Sequence, residues 1–347
     1  MNRRALLRTL ALSPLLASAI ARAWQSAVAV SFGKLPKADA VRRVLAAGPP
    51  SAVLVYVLAP DMLVGWPWAL SDEALVMLPQ AHRELPQTGR LVGRGGGLGT
   101  EALLALQPDL ILDAGTVDPT HVSGLERVWQ QTGVPCVLVD GRLVDHATQL
   151  SEAGQLLGVA SRGEMLASEA RRILDLAEDV LAKVTIDERP RVYCGRGMDG
   201  LETGLERSIN MEAVEFAGGR NVAAQAGRGS LTQASMEQLL DWNPEVILSQ
   251  NAAFTQRVLH DPLWKNISAV RHGRVHLAPS LPFGWLDGPP GVNRLIGVRW
   301  LLSILYPGRH PELSEDRTMQ AAIEFHRSFY GAIITRSTLE RWMGKTA

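Results

Sequence analysis

Cysteine is nearly absent from this 347-residue chain, which has only Cys136 and Cys194. Each lies in an apolar, strand-like run, V-P-C-V-L-V and R-V-Y-C-G, and the two fall in different halves. They are expected to be buried free thiols; a two-cysteine chain has no disulfide framework. A surplus charge is missing too, because 35 basic residues balance 35 acidic ones. Residues 1–23 hold four arginines and no acid, so setting them aside leaves 31 basic against 35 acidic residues. A mildly acidic body argues against a nucleic-acid partner, whose phosphates require a clustered basic face. Nucleotide loops are lacking as well. The glycine run 93–99 fails the G-x-G-x-x-G test at Leu98 or at Thr100, and no Gly-Lys-Ser/Thr follows. There is no G-x-S-x-G nucleophile turn, and the eight histidines are scattered without metal-ligand spacing. No resident cofactor or metal is expected, and no catalytic group. The enzyme reading has nothing specific to stand on.

What is present begins with residues 1–23, which have a basic start, an apolar middle and small residues at the end, as an export signal does. The middle is interrupted by Pro14 and is shorter than the roughly 20 residues of a spanning helix. Arg3-Arg4 fits a twin-arginine signal, and also a plain secretory signal with an incidental arginine pair. No cysteine follows the apolar run, so the expected product is a soluble periplasmic protein without a lipid anchor.

The organising feature is a stretch written twice. Residues 93–113 read G-R-G-G-G-L-G-T-E-A-L-L-A-L-Q-P-D-L-I-L-D, and residues 227–249 read G-R-G-S-L-T-Q-A-S-M-E-Q-L-L-D-W-N-P-E-V-I-L-S. Placing Glu101 on Glu237 aligns Leu103-Leu104 with Leu239-Leu240, Pro108 with Pro244, and Ile111-Leu112 with Ile247-Leu248. Each copy reads as a polar glycine loop, a short amphipathic helix, a proline turn and a buried strand. Two copies are too few for a solenoid, so two similar α/β lobes are the economical solution.

Strand-like runs at 27–31, 43–47, 62–65, 110–113 and 135–140 alternate with helical patterns, including 121–132, which predicts parallel sheet. Periodicity leaves 52–58 open between a crossover helix and a second apolar segment. From 162 to 184, Leu166, Ala170, Ile173, Ala177, Val180 and Val184 form one apolar stripe with a charged opposite face. The doubled pattern restarts just beyond it, so this helix is expected to be a rod between lobes. The second lobe has strand-like runs at 191–194, 246–249 and 274–278, a glycine-rich turn at 195–204, and helices at 211–216, 292–305 and 317–330. The predicted architecture is two Rossmann-like lobes with parallel central sheets, joined by one long helix, with a ligand cleft between them. The divisions fall at 24–160, 161–186 and 187–347.

Loops at the predicted strand exits carry Trp66, Trp68, Arg94, Arg196, Arg228 and Trp285. Ligands of open α/β sheets bind beyond the carboxyl ends of the strands, and facing lobes bring those loops together. Arginine forks suit carboxylate or catecholate oxygens, and tryptophan gives flat area at low entropic cost. These six are the candidate ligand residues.

With both copies and the rod in view, the chain resembles the substrate-binding proteins of bacterial ABC importers that serve ferric siderophores, haem and vitamin B12. The marks are residues 101–113 and their echo, Asn221-Val222 after Gly218-Gly219, and the order lobe, helix, lobe. The resemblance implies a non-enzymatic monomeric receptor that hands its ligand to an inner-membrane permease. It also implies that Glu101 and Glu237 dock onto permease arginines, two carboxylates at fixed separation setting the register. In the vitamin B12 binder an aromatic residue stands six places before each glutamate. Here those places are Gly95 and Leu231, beside Arg94 and Arg228, which leans towards an anionic chelate. The run L-P-F-G-W-L-D-G-P-P-G-V-N-R is similar to a subgroup of iron or metal-complex binders. The ligand expected is a ferric siderophore; haem, with Tyr56 or Tyr193 as a conceivable iron ligand, vitamin B12, nickel or cobalt complexes and bare metal are the alternatives. An enzyme or metallocluster-assembly protein on a similar two-lobed fold is the competing class.

Overall fold

A computed structural model describes residues 27–91 and 97–345 of the chain. In its first half, β1 (Val28–Phe32), β2 (Val44–Ala46), β3 (Leu110–Gly115) and β4 (Cys136–Asp140) form a sheet in the order β1-β4-β3-β2. The three strands β2, β3 and β4 run parallel and are almost entirely buried, as apolar runs covered on both faces must be. The edge strand β1 departs from the expected parallel sheet, because it pairs antiparallel with β4. Its half-buried and exposed residues alternate, which suits an edge strand with one wet face. The run 62–65 does not form a strand either. A single bridge joins Leu63 to Val44, after which the Trp66 amide donates to the Pro86 carbonyl and the Thr88 amide to the Trp66 carbonyl. A Cβ on Gly65 would lie 2.6 Å from the Pro86 carbonyl oxygen, so that loop closes over the segment before a ladder can extend.

In the second half, β5 (Arg191–Gly195), β7 (Arg220–Asn221), β9 (Val246–Ser249) and β10 (Val275–Leu277) make a parallel sheet in the order β10-β9-β5-β7. Two further short strands, β6 (Glu202–Gly204) and β8 (Leu231–Gln233), pair antiparallel beside it. The stretch 195–204 is therefore a turn leading into a strand. Two sheets and not one continuous sheet carry the two halves.

The ambiguous run 52–58 is helical, within α1 (Pro49–Leu58). Two prolines at its first positions are pre-set for helix entry, and Ser51 Oγ accepts from the Gly48 amide. Nearly every residue of α1 is buried, which explains why no amphipathic period marks it.

The doubled stretch folds the same way twice. It forms α2 (Thr100–Ala105) before β3 and, in the second lobe, a helix over Met236–Trp242 before β9. Glu101 and Glu237 both occupy the second helical position and both are exposed. Leu103 and Leu239 are buried, while Leu104 and Leu240 are 45% and 46% exposed. Each copy leaves the helix through a left-handed residue just before proline, Gln107 at φ 47° and Asn243 at φ 40°.

The rod is α3 (Ala160–Leu181), 22 residues, or roughly 33 Å at helical rise. It lies closest to the helix His146–Leu156, where Gly154 and Gly163 meet; a Cβ on Gly163 would come within 2.6 Å of the Leu150 carbonyl oxygen. On its other side it packs on α4 (Arg294–Leu305). One buried apolar cluster runs through the rod from Ala27 to Leu339. The final helices also reach back to the first lobe: Tyr56 Oη donates to the Tyr330 carbonyl at 3.0 Å, and Arg162 Nη2 to that of Ser328 at 2.6 Å. Cys136 and Cys194 are buried and free, one on each sheet. Among the described residues no helix is long and apolar enough to cross a membrane. The segment 1–23 lies outside the described residues.

Candidate functional site

A cavity of about 780 Å³ opens between the two halves. From the first sheet it is lined by 115–118, at the exit of β3, and 140–142, at the exit of β4. The opposing wall comes from the 206–209 loop, from Glu212 and Glu215, and from 228–230 ahead of β8. The cavity thus sits beyond the carboxyl ends of the first lobe's parallel strands, where open α/β sheets place ligands. The two exits touch: the Gly141 amide donates to the Gly115 carbonyl at 2.7 Å. A Cβ on Gly141 would stand 2.6 Å from the Gly115 Cα, so a side chain there would push the exits apart.

Charge in the cavity is arranged in pairs. Arg142 is held by Asp140 at 2.9 Å and Asp145 at 2.7 Å. Arg228, 66% exposed, reaches Glu206 at 2.7 Å, and Arg207 stands 3.9 Å from the same carboxylate. The Arg228 hydrogen bond holds Glu206 below its usual carboxylate range. Arg207 adopts φ 65°, left-handed for a residue with a side chain. Asp118 caps its helix by accepting from the Thr120 and His121 amides at 2.8 and 2.9 Å, and the His121 amide leads in lowering its pKa. Glu215 shifts upwards, chiefly because it is partly buried.

Below the cavity floor Arg294 and Glu212 tie the lobes together. Arg294 is fully buried, pairs with Glu212, and donates to the Gly141 carbonyl at 2.7 Å. Glu212 also accepts from the Leu143 amide at 2.8 Å. His146 completes the group: its Nε2 stands 3.2 Å from Arg294 Nη2 and its Nδ1 2.6 Å from Gln149 Oε1. Burial and then Arg294 push the imidazole pKa down to about 3, so it is neutral at ordinary pH.

Of the six expected ligand residues, Arg228 lines this cavity. Arg94 lies outside the described residues. Arg196 is engaged elsewhere, by the buried Asp287 carboxylate that also accepts from Asn210 and Gln250. Trp285 is 0% exposed, against Trp300 and His326, and Trp66 is buried with its Nε1 donating to the His82 carbonyl at 2.8 Å. Half-buried Trp68 packs edge-on to Trp66 and beside Phe283. Stacking a ligand on Trp66 or Trp285 therefore gives way to core packing. Their apolar area was worth more inside than at a wet cleft. The two tyrosines considered for haem iron are corrected likewise, since Tyr56 and Tyr193 are buried and bonded to backbone carbonyls. Among the described residues no group of three His, Cys, Asp or Glu could hold a metal ion.

Arg142, Glu206, Arg207 and the Arg294–Glu212 tie were not read from sequence. Arg142 had a usable signal, standing two residues past the strand 135–140. The 206–207 loop carries no period or motif, and Arg294 sits in an apolar helical run where it and Arg299 both look like surface charges.

Two α/β sheets, a helical connector and a charged cavity between them define a solute-binding protein. The chain belongs to the periplasmic binding protein family, whose model matches residues 52–281. It is 28% identical over 259 residues to the molybdate-binding protein MolA of Haemophilus influenzae, covering 66% of this chain and 69% of that one. It is 32% identical over 193 residues to a cobalamin-binding protein of Halobacterium salinarum, spanning about half of each, 52% and 50%. An ABC transporter solute binding protein from Sulfurospirillum deleyianum has the same fold at a TM-score of 0.81 and 27% identity, with 89% of this chain and 95% of that one aligned. These relatives are binding proteins and not enzymes, and the chain is a binding protein of the ABC importer class.

Proposed function

We propose that the protein captures an anionic metal chelate between its lobes, a ferric siderophore foremost, and presents it to an inner-membrane ABC permease. The chelate is cargo and not a resident cofactor. The observation that carries the reading is the 780 Å³ cavity with exposed Arg228 at its rim. A cavity of that size suits a ligand of drug-like bulk. Arg228 and Arg207 share the one carboxylate of Glu206, so a carboxylate or catecholate oxygen of the ligand can take Arg228 while Glu206 stays with Arg207. The rod and the Arg294 tie favour a small closure over a wide hinge motion.

A small oxyanion is the second reading, favoured by the MolA relative; a tetrahedral oxyanion would fill only part of the open cavity and would need closure to be gripped. Tryptophan-fluorescence titration of the signal-free protein against ferric hydroxamate and catecholate siderophores, molybdate, haem and cobalamin tests both. Saturable quenching by a ferric siderophore at micromolar concentration or below is expected. Quenching by molybdate alone would replace the first reading with the second, and response to none of the panel would remove both.

A further inference from the structure

A second cavity, of about 540 Å³, shares no lining residue with the one between the lobes. It lies in the second half, between the edge strand β10, the helix α4, the helix Glu315–Phe325 and residues 343–345. Its walls are mostly apolar, with Leu277, Trp300, Ile304, Leu313 and Met319 among them. Two polar side-chain atoms at this cavity lack a hydrogen-bond partner. Thr318, only 4% exposed, has an unpartnered Oγ1, and His276 has an unpartnered buried Nε2. Leaving such atoms unpaired costs free energy, on the order of 1–3 kcal/mol each. Both atoms have almost no exposed surface, so a partner in the cavity recovers that cost by turning these side chains towards it.

We propose that this cavity is a second ligand site, for a small neutral, largely apolar molecule carrying one hydroxyl or N–H group. Size and lining match a small-molecule pocket, apolar with few polar groups. Neutrality follows from the charges around it. Burial, with Arg274 and Lys345, brings His276 down to about 4, so its ring is uncharged at neutral pH. The remaining charges on the wall, Lys345 and Glu315, satisfy each other at 2.7 Å. An ionised ligand would find no unpaired counter-charge there. A neutral imidazole and a hydroxyl can each donate or accept, and the ligand O–H or N–H bonds to Thr318, the more deeply buried of the two.

The test uses the signal-free protein labelled with ¹³C at methionine methyls, with phenol and indole as probes. Met319 and Met343 line the cavity, while Met62 and Met165 lie elsewhere and report on the fold. Either probe should shift the Met319 and Met343 resonances saturably below about 10 mM, the range open to so small a ligand. Thr318→Val keeps the shape and should weaken binding about three- to tenfold. Ser303→Phe fills the cavity from α4 and should abolish the shifts while the other methionine signals stay in place. No saturable shift with either probe, or an affinity unchanged by either variant, overturns the proposal. Its fate is independent of the siderophore titration, because the two cavities have no lining residue in common.

Discussion

Arg294 and Arg228 show how differently one residue type can be used. Arg228 is exposed, and a solvent-screened surface pair such as the one it makes with Glu206 contributes little to stability. Arg228→Ala should leave the melting temperature nearly unchanged yet weaken chelate binding tenfold or more. Arg294 is the opposite case, a buried cation whose partners are Glu212, the Gly141 carbonyl and neutral His146. Arg294→Met strands the half-buried Glu212 and should cost about 3–5 kcal/mol, read from urea unfolding. His146 adds a pH dependence with a definite sign. Its folded pKa, about 3, lies below the unfolded value near 6.5, so the unfolded state binds the proton more readily. The stability its neutral form contributes is fully present above about pH 6.5 and is lost progressively as the pH falls towards 3. Unfolding curves at pH 7 and pH 5 should show a smaller pH effect in His146→Gln than in the wild type; an equal effect in both would mean that His146 is not the titrating group. Arg228 was read from the sequence as a candidate ligand residue; the roles of Arg294 and His146 were not legible there. One of two arginines in the run 292–305 and a histidine in an unassigned stretch carry no periodic signal, and burial is decided by which distant segments arrive.

Helices and strands were far more legible, because each has its own period. The doubled stretch was expected to give loop, helix, proline turn and strand twice, and it does so down to the left-handed residue before each proline. That residue is asparagine in one copy, which tolerates φ above zero, and glutamine in the other, which tolerates it less. Gln107→Gly should therefore stabilise the protein by roughly 0.5–1 kcal/mol, and a lower melting temperature would contradict the strain argument. The rod was legible from its stripe, but its tightest neighbour was not, since the helix 146–156 has mixed small and polar residues. Their contact depends on Gly154 and Gly163 lying against each other's turns. Gly163→Leu should force the helices apart and cost at least about 1–3 kcal/mol by overpacking. The misplaced tryptophans have the same origin as the unread helix: sequence position put Trp66 and Trp285 near strand exits, but Tyr56 and Phe283 cover Trp66, and Trp300 and His326 of the final helices cover Trp285.

For the whole molecule, the pairing of equivalent helices places Glu101 and Glu237, each followed by a half-exposed leucine, on matching surfaces of the two halves. Changing both glutamates to alanine should leave chelate affinity within about twofold while stopping uptake in cells; unimpaired uptake would defeat the docking role. The two-lobed plan was readable because a repeated motif reports on the chain as a whole. The floor of the cleft was not, because it is built from loops that share no pattern. Calorimetric titration of a ferric siderophore into the wild-type protein and into Arg142→Ala/Arg228→Ala tests the central claim most directly. One-to-one binding that falls by two orders of magnitude or more in the double variant is the predicted result. Equal affinity in the two proteins would place the ligand somewhere other than the cleft between the lobes.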